Sequence, residues 1–142
     1  MPRQSRTTTP KPTVQDAQIM LQIAQLSAAN GLPAAMNWLW SDDFKPDYAE
    51  FIKDHPHGSD GYGKARIIAV HYETIGTLWK NKLINEDLLF DWLSVTGVWD
   101  RLRALVLAER RAFGIPALGE NFQKMARAQA RRGKNSRSNA GR

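Results

Sequence analysis

GKARIIAVHYETIGTLWKN, Gly63–Asn81, is the stretch whose reading decides the fold. Ile68, Tyr72, Ile75 and Trp79 fall at i, i+4, i+7 and i+11, which is one face of a helix with 3.6 residues per turn. A helix with one apolar face must bury it against another element, so the neighbouring sequence has to supply apolar surfaces of its own. Gly76 sits inside this stripe, where glycine costs about 1 kcal/mol against alanine. That cost predicts the close approach of a second helix at this point.

On the C-terminal side, Lys82-Leu83-Ile84 turns the chain. Asn85 caps a short helix with Glu86 and Asp87 in its first turn and Leu88, Leu89 and Trp92 as its packing residues. A long helix from about Gly97 to Phe113 places Trp99, Leu102, Val106 and Phe113 on one stripe. Gly114 stops it and Pro116 prevents resumption. A last helix near Gly119–Ala130 buries Phe122, Met125 and Ala126. On the N-terminal side, the Gly- and Pro-rich run from Asp54 to Gly63 reads as a loop. A short helix starting near Pro46-Asp47 carries Tyr48, Phe51 and Ile52. Another runs from Pro33 to about Trp40 and buries Leu32, Met36, and Leu39 or Trp40. The first helix is capped by Thr13 with Asp16 three residues on, and it ends at Asn30-Gly31. Val14, Ala17, Leu21, Ala24 and Ala28 give it heptad spacing, while Ile19, Ile23 and Leu26 widen the stripe. No segment alternates as a strand does, and no repeat is visible. The expected fold is all-α, a compact multi-helix orthogonal bundle over residues 13–126. Disordered basic tails are expected at 1–12 and at 127–142, the second continuing the last helix before it dissolves.

Charge divides along the same lines. Of 20 basic residues, three fall in 1–12 and six in 127–142, and neither segment holds an acid, so the body carries 11 basic and 14 acidic residues against a whole-chain charge of +6. The absence of cysteine excludes disulfides, thiolate metal sites and cysteine nucleophiles. The longest apolar run, Ala104 to Ala108, is far short of the ~18–20 residues that span a bilayer. No apolar signal stretch follows Arg3, Arg6 and Lys11, so the expected location is the cytoplasm.

Tyr72-Glu73-Thr74-Ile75-Gly76, then Leu78, Leu83-Ile84-Asn85-Glu86-Asp87-Leu88, Trp99-Asp100-Arg101-Leu102 and Arg110, resemble in order and spacing the bacterial domain of unknown function 4760 family, over roughly residues 33–126. The resemblance implies a compact helical domain with no established activity. Many members carry a membrane-spanning segment ahead of the domain, where this chain has an amphipathic helix.

The candidate sites are few. Glu73 has no basic neighbour at i±3 or i±4, so a carboxylate beside an apolar stripe needs a cation from elsewhere. Arg110 is the best partner, and an inter-helix Glu73–Arg110 ion pair outweighs a catalytic acid or base. His55 and His57, with Asp54 and Asp60, offer nitrogen and oxygen ligands but match no metal signature, and exposed loop histidines are the stronger reading. His71 reads as a hydrogen-bonded residue at the core edge. Trp38 and Trp40 are two apart on a short helix and cannot both face inward, so one is a candidate exposed partner contact. Arg127, Arg131, Arg132, Lys134, Arg137 and Arg142 form an electrostatic footprint with no aromatic residue to stack bases. No Gly-x-Ser-x-Gly, His-Glu-x-x-His or P-loop pattern is present. The expected function is a non-enzymatic helical interaction domain without a cofactor, whose basic tails help recruit it to an acidic surface and whose partner identity and oligomeric state the sequence leaves open. The alternative is weak nucleic-acid association through the C-terminal cations. Six phosphate contacts would give a log K against log salt slope near ~−5 on duplex DNA.

Overall fold

The computed structural model describes residues 10–141, apart from the side chains at 136 and 138–140. The described residues form seven helices and no strand. They are α1 Val14–Ala29, α2 Leu32–Leu39, α3 Tyr48–Asp54, α4 Asp60–Lys80, α5 Glu86–Trp92, α6 Val95–Phe113 and α7 Glu120–Ala140. None is long and apolar enough to cross a membrane.

α4 is the central rod. Ile68, Tyr72 and Ile75 are buried on its stripe, Trp79 is partly buried at its end, and its broadest packing is against α7. Gly76 is where the two helices meet. A Cβ built on it would lie 2.7 Å from the backbone carbon of Asn121, so only glycine fits. The other face of the core comes from Leu102, Leu105 and Val106 of α6 and from Leu39 and Phe51 of α2 and α3.

Local signals set most helix ends. Thr13 and Asp16 close a capping box at α1. The same Asp16 carboxylate accepts the Asn85 backbone N–H at 2.9 Å, tying α1 to the start of α5, and the Asn85 side chain donates to the Pro10 carbonyl at 2.8 Å. The Thr13 N–H and hydroxyl hold Asp16 below the usual carboxylate range. Gly114, with φ of 64°, stops α6 as expected.

Four expectations are corrected, and the open choice between Leu39 and Trp40 is resolved. α4 begins at Asp60, not Gly63, because the Ser59 hydroxyl caps it and the glycines lie inside its first turn. Gly61 is there for space, since a Cβ would strike the His55 ring at 2.2 Å. On α1 the heptad positions Val14 and Leu21 are 77% and 59% exposed, while Ile23 and Ile19 turn inward. Both faces of α1 are apolar, and the one facing α2 is Ile23's. On α2, Leu39 is buried and Trp40 is not; on α5, Trp92 lies outward and Phe90 packs instead. Phe113, in the last turn of α6, is half exposed beyond the end of the core.

α7 crosses the 126/127 boundary without a break. Ala128 is buried, and Gln129 donates to the Leu93 carbonyl at 2.6 Å and accepts the Thr96 N–H at 2.9 Å. The first part of the expected basic tail is therefore a structural helix. The rest of the expected N-terminal tail, residues 1–9, lies outside the described residues.

Candidate functional site

Three places concentrate polar side chains. The first is a small cavity of about 120 Å³ between α4, α6 and the turn into α7. Glu73 lines it, and its carboxylate accepts the backbone N–H groups of Phe122 at 2.7 Å and Asn121 at 3.3 Å. Those are among the unpaired donors at the start of α7, whose N-cap Gly119 has no side chain to serve them. Negative charge there also meets the positive end of the helix dipole. The expected Glu73–Arg110 ion pair does not form. Arg110 Nε donates instead to the Leu118 carbonyl at 2.6 Å. Both side chains hold the α6–α7 turn, one at its carbonyls and one at its amides, because the turn offers each a backbone partner. Across the cavity lies Glu109, only 9% exposed, which accepts the Tyr62 hydroxyl. Burial, with the Glu109 hydrogen bond second, pushes the Tyr62 phenol well above its usual value of 10. The sequence reading missed this pair. Its signal was present, since Leu102, Val106 and Glu109 fall at i, i+4 and i+7, which puts a carboxylate on a core stripe.

The second place is an open cleft of about 700 Å³ beside α3 and the start of α4. His55 lies there with its Nε2 3.3 Å from the Asp43 carbonyl and its ring edge-on to Trp38, 5.3 Å between centroids. His57 packs on Tyr62 at 4.5 Å. Asp54 and Asp60 line the cleft beside His55, whereas His57 is turned to Tyr62 and away from that lining. Trp38 is half buried against Phe44 and Phe51, while Trp40 is 53% exposed. Trp40 is therefore the outward one of the pair, but it is occupied. The Arg101 guanidinium sits over its ring at 5.4 Å and over Phe44 at 5.1 Å. Arg101 Nε also donates to the Leu39 carbonyl at 2.7 Å at the end of α2. Arg101→Ala leaves that carbonyl unpaired, and thermal denaturation should show a loss of about 2 kcal/mol. Lysine, lacking the planar fork, should not restore it.

His71 is buried on α4 and makes no hydrogen bond among the described residues, contrary to the sequence expectation, because its ring is edge-on to Tyr72 at 6.0 Å in an apolar setting. Burial holds its imidazole below the usual 6.5 and pushes the Tyr72 phenol up to about 12. The folded chain resists a proton that the unfolded chain accepts. Stability is therefore whole above pH 6.5 and declines as pH falls through and below that value. The melting temperature of the wild type should drop more steeply from pH 7 to pH 5 than that of His71→Gln.

The third place is the outer side of α7. Phe122, Met125 and Gln129 face the core, and Arg127, Arg131 and Lys134 at i, i+4 and i+7 face solvent. These three and Arg137 make no ion pair among the described residues. Arg132 is corrected out of the set. It lies on the inner flank of α7, paired with Glu86 and Asp87 and stacked over Phe90 at 5.6 Å. Lys124 is engaged by Glu120. Arg142 lies outside the described residues. Next to the stripe, a groove of about 300 Å³ runs between α6 and α7, with Arg103 and Arg127 among its lining and Trp99, Leu107, Ala126 and Ala130 as its apolar part.

The described residues thus form an all-α bundle whose outer α7 side carries Arg127, Arg131, Lys134 and Arg137 with no ion pair among the described residues. Residues 12–129 match the family described as Domain of unknown function (DUF4760), and the chain belongs to that family. The match takes in α1 as well as the region from residue 33 that carried the resemblance. No curated protein matches the chain, and no solved structure does.

Proposed function

We propose that this is a non-enzymatic interaction domain of the cytoplasm that receives an acidic partner protein on the outer side of α7. The observation that supports the reading is the combination there of free cations with an apolar groove. Arg127, Arg131 and Lys134 stand in a row about 10 Å long, and the groove beside them runs along Trp99, Leu107, Ala126 and Ala130. A partner surface with carboxylates flanking an apolar anchor complements both parts, since interfaces centre on a desolvated apolar patch with charges at the rim. Weak, non-sequence-specific nucleic-acid binding is the second reading, favoured by the absence of any acidic residue after Glu120. It uses the cations and leaves the groove idle.

Fluorescence anisotropy with two probes separates them. A glutamate-rich peptide with regularly spaced leucines should bind and keep part of its affinity at high salt, because the groove contact is not screened. Duplex DNA should bind more weakly, with a salt slope of about −3.6 where Arg127, Arg131, Lys134 and Arg137 make the phosphate contacts. DNA bound tightly with the peptide ignored would favour the second reading. Neither probe binding would remove both.

A further inference from the structure

We propose that the cavity between α4, α6 and the α6–α7 turn is a binding site for a primary alkylammonium group. Two carboxylates, Glu73 and Glu109, line one space of about 120 Å³, and neither is ion-paired within the described residues. Glu109 is nine-tenths buried, and Tyr62 is the one hydrogen-bond donor it has there. A buried carboxylate that lacks a cation is costly, and the cost is relieved when a cation enters. The remaining walls are mostly apolar, from Ala69, Val70, Val106 and Leu118, with Arg66 exposed at the rim. A cavity of this size holds several waters, at about 30 Å³ of liquid each, or a short alkyl chain with one polar end. Greasy walls, with Glu109 and the amide-bound Glu73 both in the lining, together select that chain with an ammonium head. They disfavour an anion by charge and a bare metal ion by the shortage of oxygen donors. The cavity lies apart from the α6–α7 groove, so the inference does not rest on the interaction proposed above.

The test is titration of the 15N-labelled full chain with n-butylammonium and, in parallel, n-butanol. The ammonium should give saturable amide shifts at Val70, Val106 and Gly119 with a dissociation constant of about 1 mM, within reach of a five-heavy-atom ligand. Butanol should give none at equal concentration. Glu109→Gln, which keeps an acceptor for Tyr62, should weaken ammonium binding at least tenfold. Val70→Phe, at an exposed position on the mouth, should do so by obstruction should the first variant fold poorly. N-acetyl-lysine methylamide in place of butylammonium tells a partner's lysine from a free amine: a tighter constant assigns the former, a weaker one the latter. Equal shifts with butanol, no saturable shift with either amine, or undiminished binding in both variants would overturn the site.

Discussion

Gly76→Val is expected to lower stability by about 3 kcal/mol, at the upper end of what overpacking a well-filled interior costs. For a domain of this size that is a fall in melting temperature of about 10 °C. The reason lies in what the new side chain would meet. Its first carbon would stand 2.7 Å from the backbone of Asn121, 2.9 Å from that residue's carbonyl oxygen and 2.9 Å from Phe122 N. Backbone cannot rotate away as a side chain can, so α7 has to move, and with it the Glu73 cap and the buried ring of Phe122. The control has the opposite sign. Gly63 lies on the same helix with nothing within 4 Å of its added carbon, so Gly63→Ala should gain about 0.5–1 kcal/mol from helix propensity alone. One helix, two glycines and opposite outcomes in a denaturation series would locate the α4–α7 seam without a structure of either variant.

The second large effect is functional. Replacing Arg127, Arg131 and Lys134 together by alanine should weaken the acidic peptide by about threefold to a hundredfold, from about 0.2–1 kcal/mol for each exposed pairing lost. It should leave the melting temperature within a few degrees, because none of the three makes an ion pair among the described residues. Arg132→Ala should behave in the reverse way. It should cost some stability through the lost contacts with Glu86, Asp87 and Phe90 and affect the peptide little. Deleting residues 127–142 would be the wrong instrument, since it also removes buried Ala128 and the Gln129 hydrogen bonds.

What the sequence disclosed was local. The α4 stripe, the Thr13 and Asn85 caps and the Gly114 stop depend on residues within a turn or two of each other, and they stand as read. So does the close approach at Gly76, because an interior glycine in an apolar helix needs a reason. What stayed hidden depends on distant partners. α1 is apolar on two faces, and the choice of Ile23 over Leu21 is made by α2. The start of α4 was masked by glycines that usually mean loop, although Ser59 is an ordinary cap. Glu73 was singled out correctly as an acid needing a partner, but its partners are backbone amides, which carry no residue-type signature. Glu109 sits beside Arg110 and Arg111 and looks like surface charge unless its place on the Leu102–Val106 stripe is counted. Arg132 and Arg131 are neighbours in sequence, and only the packing of α7 sends one inward and the other out.

α7 is a core element on one side and, on the function proposed above, a cationic landing surface on the other. The most direct test of that double role is the salt dependence of acidic-peptide binding, measured for the wild type and for the Arg127/Arg131/Lys134 triple alanine variant at matched helix content by circular dichroism. The expected result is a wild-type affinity that falls with salt to the residual level held by the groove contact, and a variant that starts weaker and responds far less. Two parallel lines of equal slope and affinity would contradict it.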